Sequence, residues 1–223
     1  MKPKQRRQLA FGAGFAVYVT ALWLLWPTVW IYPFKIFVVF LHELSHAVAG
    51  LATGGTVQRI TLDPAEGGAT YVNGGNAFVM LSAGYLGSLL WGLAILMIAR
   101  TKPRIGRTML MILGALLLGT SVLYVRNGFG FIFGLAFGLL LLLGSRKLPD
   151  GGVLVLLTAL GLTSALYALF DIRDDILRRP ELQSDAHMLS QITGVPTMVW
   201  GVTWACLALV ACWFAGRRLL QRA

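Results

Sequence analysis

Residues Phe34 to Gly55 read FKIFVVFLHELSHAVAGLATGG, and two features of that stretch govern how the rest of the chain is read. Phe34 to Ala52 is apolar and about as long as a helix needs to cross a hydrocarbon layer of about 30 Å, which takes roughly 20 residues at about 1.5 Å each. Inside it stands His42-Glu43-Leu44-Ser45-His46. An ionisable trio in lipid is costly unless it is paired, hydrated or bound to a metal, so the segment reads both as a span and as a site.

Similar runs fill the chain. Of 223 residues, 57% are hydrophobic and only 13% charged, which places the protein outside the soluble range and inside the membrane class. Seven apolar segments are predicted: Leu9 to Trp26, Phe34 to Ala52, Ala77 to Ala99, Thr108 to Val125, Phe129 to Gly144, Val153 to Phe170 and Thr197 to Gly216. They are continuous and rich in Leu, Ala and Gly instead of alternating at period two, which excludes a β-barrel. Thr56 to Gly75, with β-prone pieces around a Pro and Gly-rich centre, reads as a small hairpin. The expected fold is therefore an all-α polytopic membrane protein with six or seven transmembrane helices and a β-hairpin between the second and third. It forms a single membrane domain over residues 1–223, with the hairpin inserted at about 56–75 and an acidic loop at about 171–196.

The net charge is +10, from 19 Lys and Arg against 9 Asp and Glu. Its cations flank the apolar runs in short clusters, the positive-inside pattern, so the partner is the lipid bilayer and not nucleic acid. Cys206 and Cys212 both fall in the last run and make neither a disulfide framework nor a metal pair. The basic start, Met1 to Gln8, resembles that of a signal peptide, but the run after it is too long and lacks a small-x-small cleavage site before Pro27, so a retained helix is expected. The clusters also set a puzzle. Those at Arg100 to Arg107, Arg146-Lys147 and Arg217 to Arg222 agree in side, whereas three full crossings put Lys2 to Arg7 opposite Arg104. Either one of the first three segments is re-entrant or stops short, or the first cluster departs from the rule.

Two histidines four apart share one face of a helix, so both imidazoles can reach one metal ion. Glu43, just off that face, is placed to take a proton from water at that metal. Zinc suits such a set: it accepts two nitrogens and a carboxylate, lowers the pKa of water to about 7 and polarises a carbonyl. A third protein ligand is needed, and the candidates are Asp171, Asp174, Asp175, Asp185 and Asp150. Asp171, Asp174 and Asp175 share a face at i, i+3, i+4 spacing. Competing readings are a solvated charged surface for Asp174 and Asp175, and a helix cap at Ser184-Asp185 opening a helix through Leu189. His187 is expected to be exposed. Gly84, Ser88 and Gly92 place a small residue at every fourth position, so that helix is expected to pack closely, against the His42 helix.

Several stretches together resemble the site-2 protease group of intramembrane zinc metallopeptidases, family M50, and in particular its M50B-like branch in bacteria and plants. They are His42 to Ala47, Glu66-Gly67-Gly68-Ala69-Thr70, Ala83 to Ser88, Phe170 to Asp175, and Ser184-Asp185-Ala186. The resemblance implies Zn2+ held by His42 and His46 with Glu43 as general base, and it favours Asp171 as third ligand with Asp185 second. It also implies a transmembrane protein or peptide substrate, a bacterial cytoplasmic membrane, and a hairpin that engages substrate, with a free strand edge near Thr56 to Leu62 as the docking line. Two other readings compete with the endopeptidase. One is a non-catalytic binding or regulatory module that keeps the fold; the other is a metal-ion transporter, which would want acids and histidines strung along a path instead of one compact box.

Overall fold

The structure, a computed structural model, describes residues 3–26, 28–173 and 184–222. Among the described residues, eight helices and one hairpin follow in the order α1 (Pro3–Leu25), α2 (Tyr32–Ala52), β1 (Thr56–Asp63), β2 (Gly67–Asn73), α3 (Ala77–Ile98), α4 (Pro103–Tyr124), α5 (Gly128–Lys147), α6 (Asp150–Arg173), α7 (Asp185–Thr193) and α8 (Thr197–Arg222). Each predicted apolar segment is a helix, and α2, α3, α4, α5, α6 and α8 are long and apolar enough to span a bilayer. Short-range chemistry sets their limits. Proline occupies the first turn of α2 and of α4, where no N–H is needed. The Asn76 side chain accepts from the Val79 N–H at 3.1 Å to open α3.

α2 is the hub. Ile36 to Leu41 are all buried, and they share one core with Leu110, Leu113 and Leu117 of α4 and Leu157 and Leu160 of α6. A helix buried nearly all round is not a lipid-facing span, and that is the environment a polar motif at its centre requires.

Contacts along the helices fix chain direction and resolve the charge puzzle. The His46 ring meets the Met80 carbonyl while Gly84 lies under His42, so α3 runs antiparallel to α2. Leu89 packs with Ala165, and Leu96 lies against Gly161, so α6 is antiparallel to α3. Tyr18 bonds Ala159 and Thr163, whereas the Trp26 ring meets Tyr167 at a tilt and Phe170 edge to face, so α1 is parallel to α6. α1 and α2 therefore run in the same direction. The link between them, residues 26–31, reaches at most about 20 Å and cannot recross a bilayer. α2 instead begins partway along α6, where Lys35 lies over the Trp26 ring at 4.6 Å. The pairs Tyr85–Trp204 and Leu89–Ala208 make α8 parallel to α3. The described cations of all four clusters accordingly gather at one end of the bundle, and it is the shared direction of α1 and α2 that brings the first of them there.

The hairpin lies against α2 with β2 parallel to it. Val72 packs on Gly50, Thr70 on Glu43, and Glu66 on Lys35. Its turn is closed by Asp63 Oδ1 accepting from Ala65 N–H at 2.7 Å, with Glu66 at φ 68°. Strand pairing is antiparallel, with Ile60 opposite Thr70 and Leu62 opposite Gly68. The β1 edge expected to be free is closed at Ile60 and Leu62. Arg126 N–H donates to Ile60 O at 3.0 Å, and the Asn127 amide both accepts from Leu62 N–H at 3.1 Å and donates to Leu62 O at 2.7 Å. Since Ile60 and Leu62 turn their main-chain groups outward, so do their partners Thr70 and Gly68, and the available edge belongs to β2.

Candidate metal centre

His42 and His46, one turn apart on α2, converge on Asp185 from the first turn of α7. Asp185 Oδ2 lies 3.1 Å from His42 Nε2 and 3.3 Å from His46 Nε2. The three side chains are nearly enclosed, with 13%, 11% and 8% of their surfaces exposed. Although burial opposes its charge, the two imidazoles hold the Asp185 carboxyl well below the ordinary carboxylate range. Ser184 opens α7 by accepting from His187 N–H at 3.3 Å, and Gly194 in the left-handed region ends it. The cap and the converging carboxylate are thus neighbouring residues with separate jobs.

The donor set fits a tetrahedral ion. Ligands about 2.0 to 2.1 Å from zinc stand roughly 3.3 to 3.4 Å from one another, close to the separations seen here. His46 Nδ1 lies 2.7 Å from the Met80 carbonyl, which can only accept. The Nδ1 proton is therefore committed to that carbonyl, which fixes the ring with Nε2 facing Asp185. Tyr85 meets the His42 ring edge to face, with centroids 5.2 Å apart, and is itself held by Trp204. Gly84 explains how three polar groups fit against α3. A Cβ there would collide with the His42 ring and stand 2.5 Å from Asp185 Oδ2.

Glu43 is buried beside the histidines, with one ligand atom of each of the three within 4.8 Å of the others. Its carboxylate leans on β2, where the Thr70 hydroxyl donates to Oε2 at 2.7 Å. The cavity over these groups holds about 810 Å³ and is bounded by Gly67 to Val72 of β2, by Met80 of α3, by Tyr167 of α6 and by Met188 and Gln191 of α7.

Asp171 belongs to α6, but its side chain lies outside the described residues, as do Asp174 and Asp175 altogether. Asp150 opens α6, about 26 Å from Tyr167 at the helical rise, and pairs there with Arg107 at 2.7 Å. His187 is half-buried instead of exposed, with Nε2 at 3.0 Å from the Gln191 amide. The small-residue row of α3 divides its packing. Gly84 faces α2 and α7, whereas Gly92 meets Ala165 of α6. Sequence reading missed Thr70, Gly68 and the Met80 carbonyl. Gly68 and Thr70 carried a signal, two positions apart in a strand and hence on one face. The carbonyl carried none.

A buried histidine pair, an acid beside it and a bundle of apolar helices define a multi-pass integral membrane protein built around a polar centre. A family model, Peptidase M50B-like, matches residues 15–215. The chain belongs to that family. No curated protein and no solved structure matches it.

Proposed function

We propose that this protein is an intramembrane zinc metalloendopeptidase of a bacterial cytoplasmic membrane, cleaving membrane-embedded protein segments. The observation that carries this reading is the convergence of His42, His46 and Asp185 beside Glu43 in a cavity bordered by the β2 edge. His42 and His46 would hold the ion through Nε2 and Asp185 through Oδ2. Bound there, zinc acidifies water and polarises the scissile carbonyl. Glu43 accepts the proton of the attacking water and returns it to the leaving amide nitrogen. A helical substrate hides its peptide bonds in its own hydrogen bonds, and the outward main-chain groups of Gly68 and Thr70 offer an extended segment replacement partners. Docking on β2 lays that segment beside Glu43.

The experiment uses the full chain purified in detergent, with metal content measured and a transmembrane reporter supplied in the same micelles. The reading expects one zinc per chain and cleavage. Glu43→Gln keeps the zinc and loses at least about 100-fold in turnover, the usual scale for a general base. Protein without stoichiometric zinc would favour the non-catalytic module instead, and undiminished cleavage by Glu43→Gln would remove the base.

A further inference from the structure

Glu43 is held by the hairpin as much as by its own helix. The Thr70 hydroxyl lies 2.7 Å from Glu43 Oε2 and 3.0 Å from the Glu43 main-chain carbonyl. Two residues earlier on the same face of β2, Gly68 is pressed against the same side chain. A Cβ built there would stand 2.6 Å from Oε1, 2.7 Å from Cγ and 2.9 Å from Cδ. One carboxylate oxygen thus has a donor assigned to it and the other a space reserved for it, both by one strand. An ordinary packing strand would tolerate a methyl at Gly68 and would gain nothing from a hydroxyl at Thr70.

We propose that β2 is the positioning element for Glu43: the Thr70 hydroxyl fixes Oε2, the bare Cα of Gly68 makes room for Oε1, and the strand whose edge faces the cavity thereby sets where the base stands. This rests on Glu43 acting as the base. Thr70 has one hydroxyl proton and two acceptors in reach. While Glu43 is charged, the hydroxyl donates to Oε2. After Glu43 has taken a proton, the hydroxyl turns its hydrogen to the Glu43 carbonyl and accepts from the carboxyl, so the contact survives both forms. The register also follows. A segment paired along β2 has its bond beside Ala69 nearest the base, because Gly68 and Thr70 straddle that position. Substrate alignment and base alignment then depend on one rigid piece, which is the condition for a near-attack geometry.

The test replaces zinc by cobalt in the full detergent-purified chain and titrates acetohydroxamic acid, following the visible bands of the metal. A hydroxamate that chelates the ion gives up its proton to the neighbouring base, so its affinity reports where Glu43 stands without any substrate. Thr70→Val and Gly68→Ala are expected to bind about 10-fold more weakly or worse, the worth of one charge-assisted hydrogen bond, with metal stoichiometry as in the parent. Thr70→Ser keeps the hydroxyl and is expected to stay within about twofold. Parental affinity in Thr70→Val, while Glu43→Gln is weakened, overturns the proposal. Equal losses in Thr70→Val and Thr70→Ser overturn it too, because packing and not the hydroxyl would then be at work. Indifference of Glu43→Gln itself would strike the underlying assignment of the base, a separate outcome.

Discussion

Lys35 reaches Glu66 across 31 residues, with Nζ 2.9 Å from Oε1, and so ties the tip of the hairpin to the first turns of α2. Lys35 is almost fully buried, whereas Glu66 keeps a third of its side chain exposed. Tyr32 adds a hydrogen bond to the Pro64 carbonyl at 2.8 Å, and Trp26 covers the ammonium. Lys35→Met leaves Glu66 without its cation. Removing one partner of a fully buried pair costs about 3 to 5 kcal/mol, and the exposure of Glu66 reduces this to about 2 kcal/mol. The expected outcome is faster proteolytic nicking at 63–67 and faster hydrogen exchange in β2, with the zinc content unchanged. Exchange identical to the parent would show that the tip does not depend on the pair.

Asp185 and Asp171 make opposite predictions for metal content. Asp185→Asn keeps the shape but removes the charge facing the two imidazoles, and its zinc affinity is expected to fall by more than about 100-fold, beyond the loss typical of outer-shell partners. Asp171→Asn and Asp150→Asn are expected to retain zinc. Zinc titration against a competing chelator checks all three, and loss of zinc from Asp171→Asn with retention in Asp185→Asn would exchange their roles.

Gly84→Ala is expected to behave as a site mutation and not as a helix-packing mutation. Its methyl group would meet both His42 and Asp185, whereas the bundle contacts of α3 further along, at Gly92, are untouched. The expected result is protein that stays monodisperse and helical in detergent by size exclusion and circular dichroism but binds zinc at least about 10-fold more weakly, the scale of a disturbed ligand shell. Full zinc affinity in a folded Gly84→Ala protein would refute this.

Chain direction predicts labelling. In a background lacking Cys206 and Cys212, cysteines placed at Gln5, Arg104, Lys147 and Arg218 are expected to react with an impermeant maleimide from one side of the membrane, and one at Gly74 from the other. A reagent reaching Gln5 and Arg104 from opposite sides would mean that α1 and α2 cross in opposite senses.

The helices and the hairpin were legible because each has a local cause. Apolar runs gave seven of the eight described helices their places, the cap at Ser184-Asp185 marked α7, and the Asp63-Pro64-Ala65-Glu66-Gly67 turn separated two β-prone stretches. His42, Glu43 and His46 were legible for the same reason, since one turn of helix sets their geometry. Which acid faces them was not. Asp171 and Asp185 stand on either side of a polar connection, and the choice depends on where that connection returns the chain, which no spacing rule records. The closed edge of β1 was equally hidden, because Asn127 comes from a turn 65 residues away. Shared direction of α1 and α2 left only an indirect trace, the disagreement among cation clusters. That disagreement was the correct signal, and reading it required contacts such as Tyr18 to Thr163.

The separation of 143 positions from His42 to Asp185 also bears on the birth of the protein. A ribosome makes the two histidines long before the carboxylate emerges, and α7 must then fold back onto helices inserted earlier. Until that moment the nascent chain holds the two imidazoles and Glu43 without the Asp185 carboxylate. On the reading proposed above, a hydrolase assembled in this order would stay harmless to the translocon and its passengers until α7 is in place.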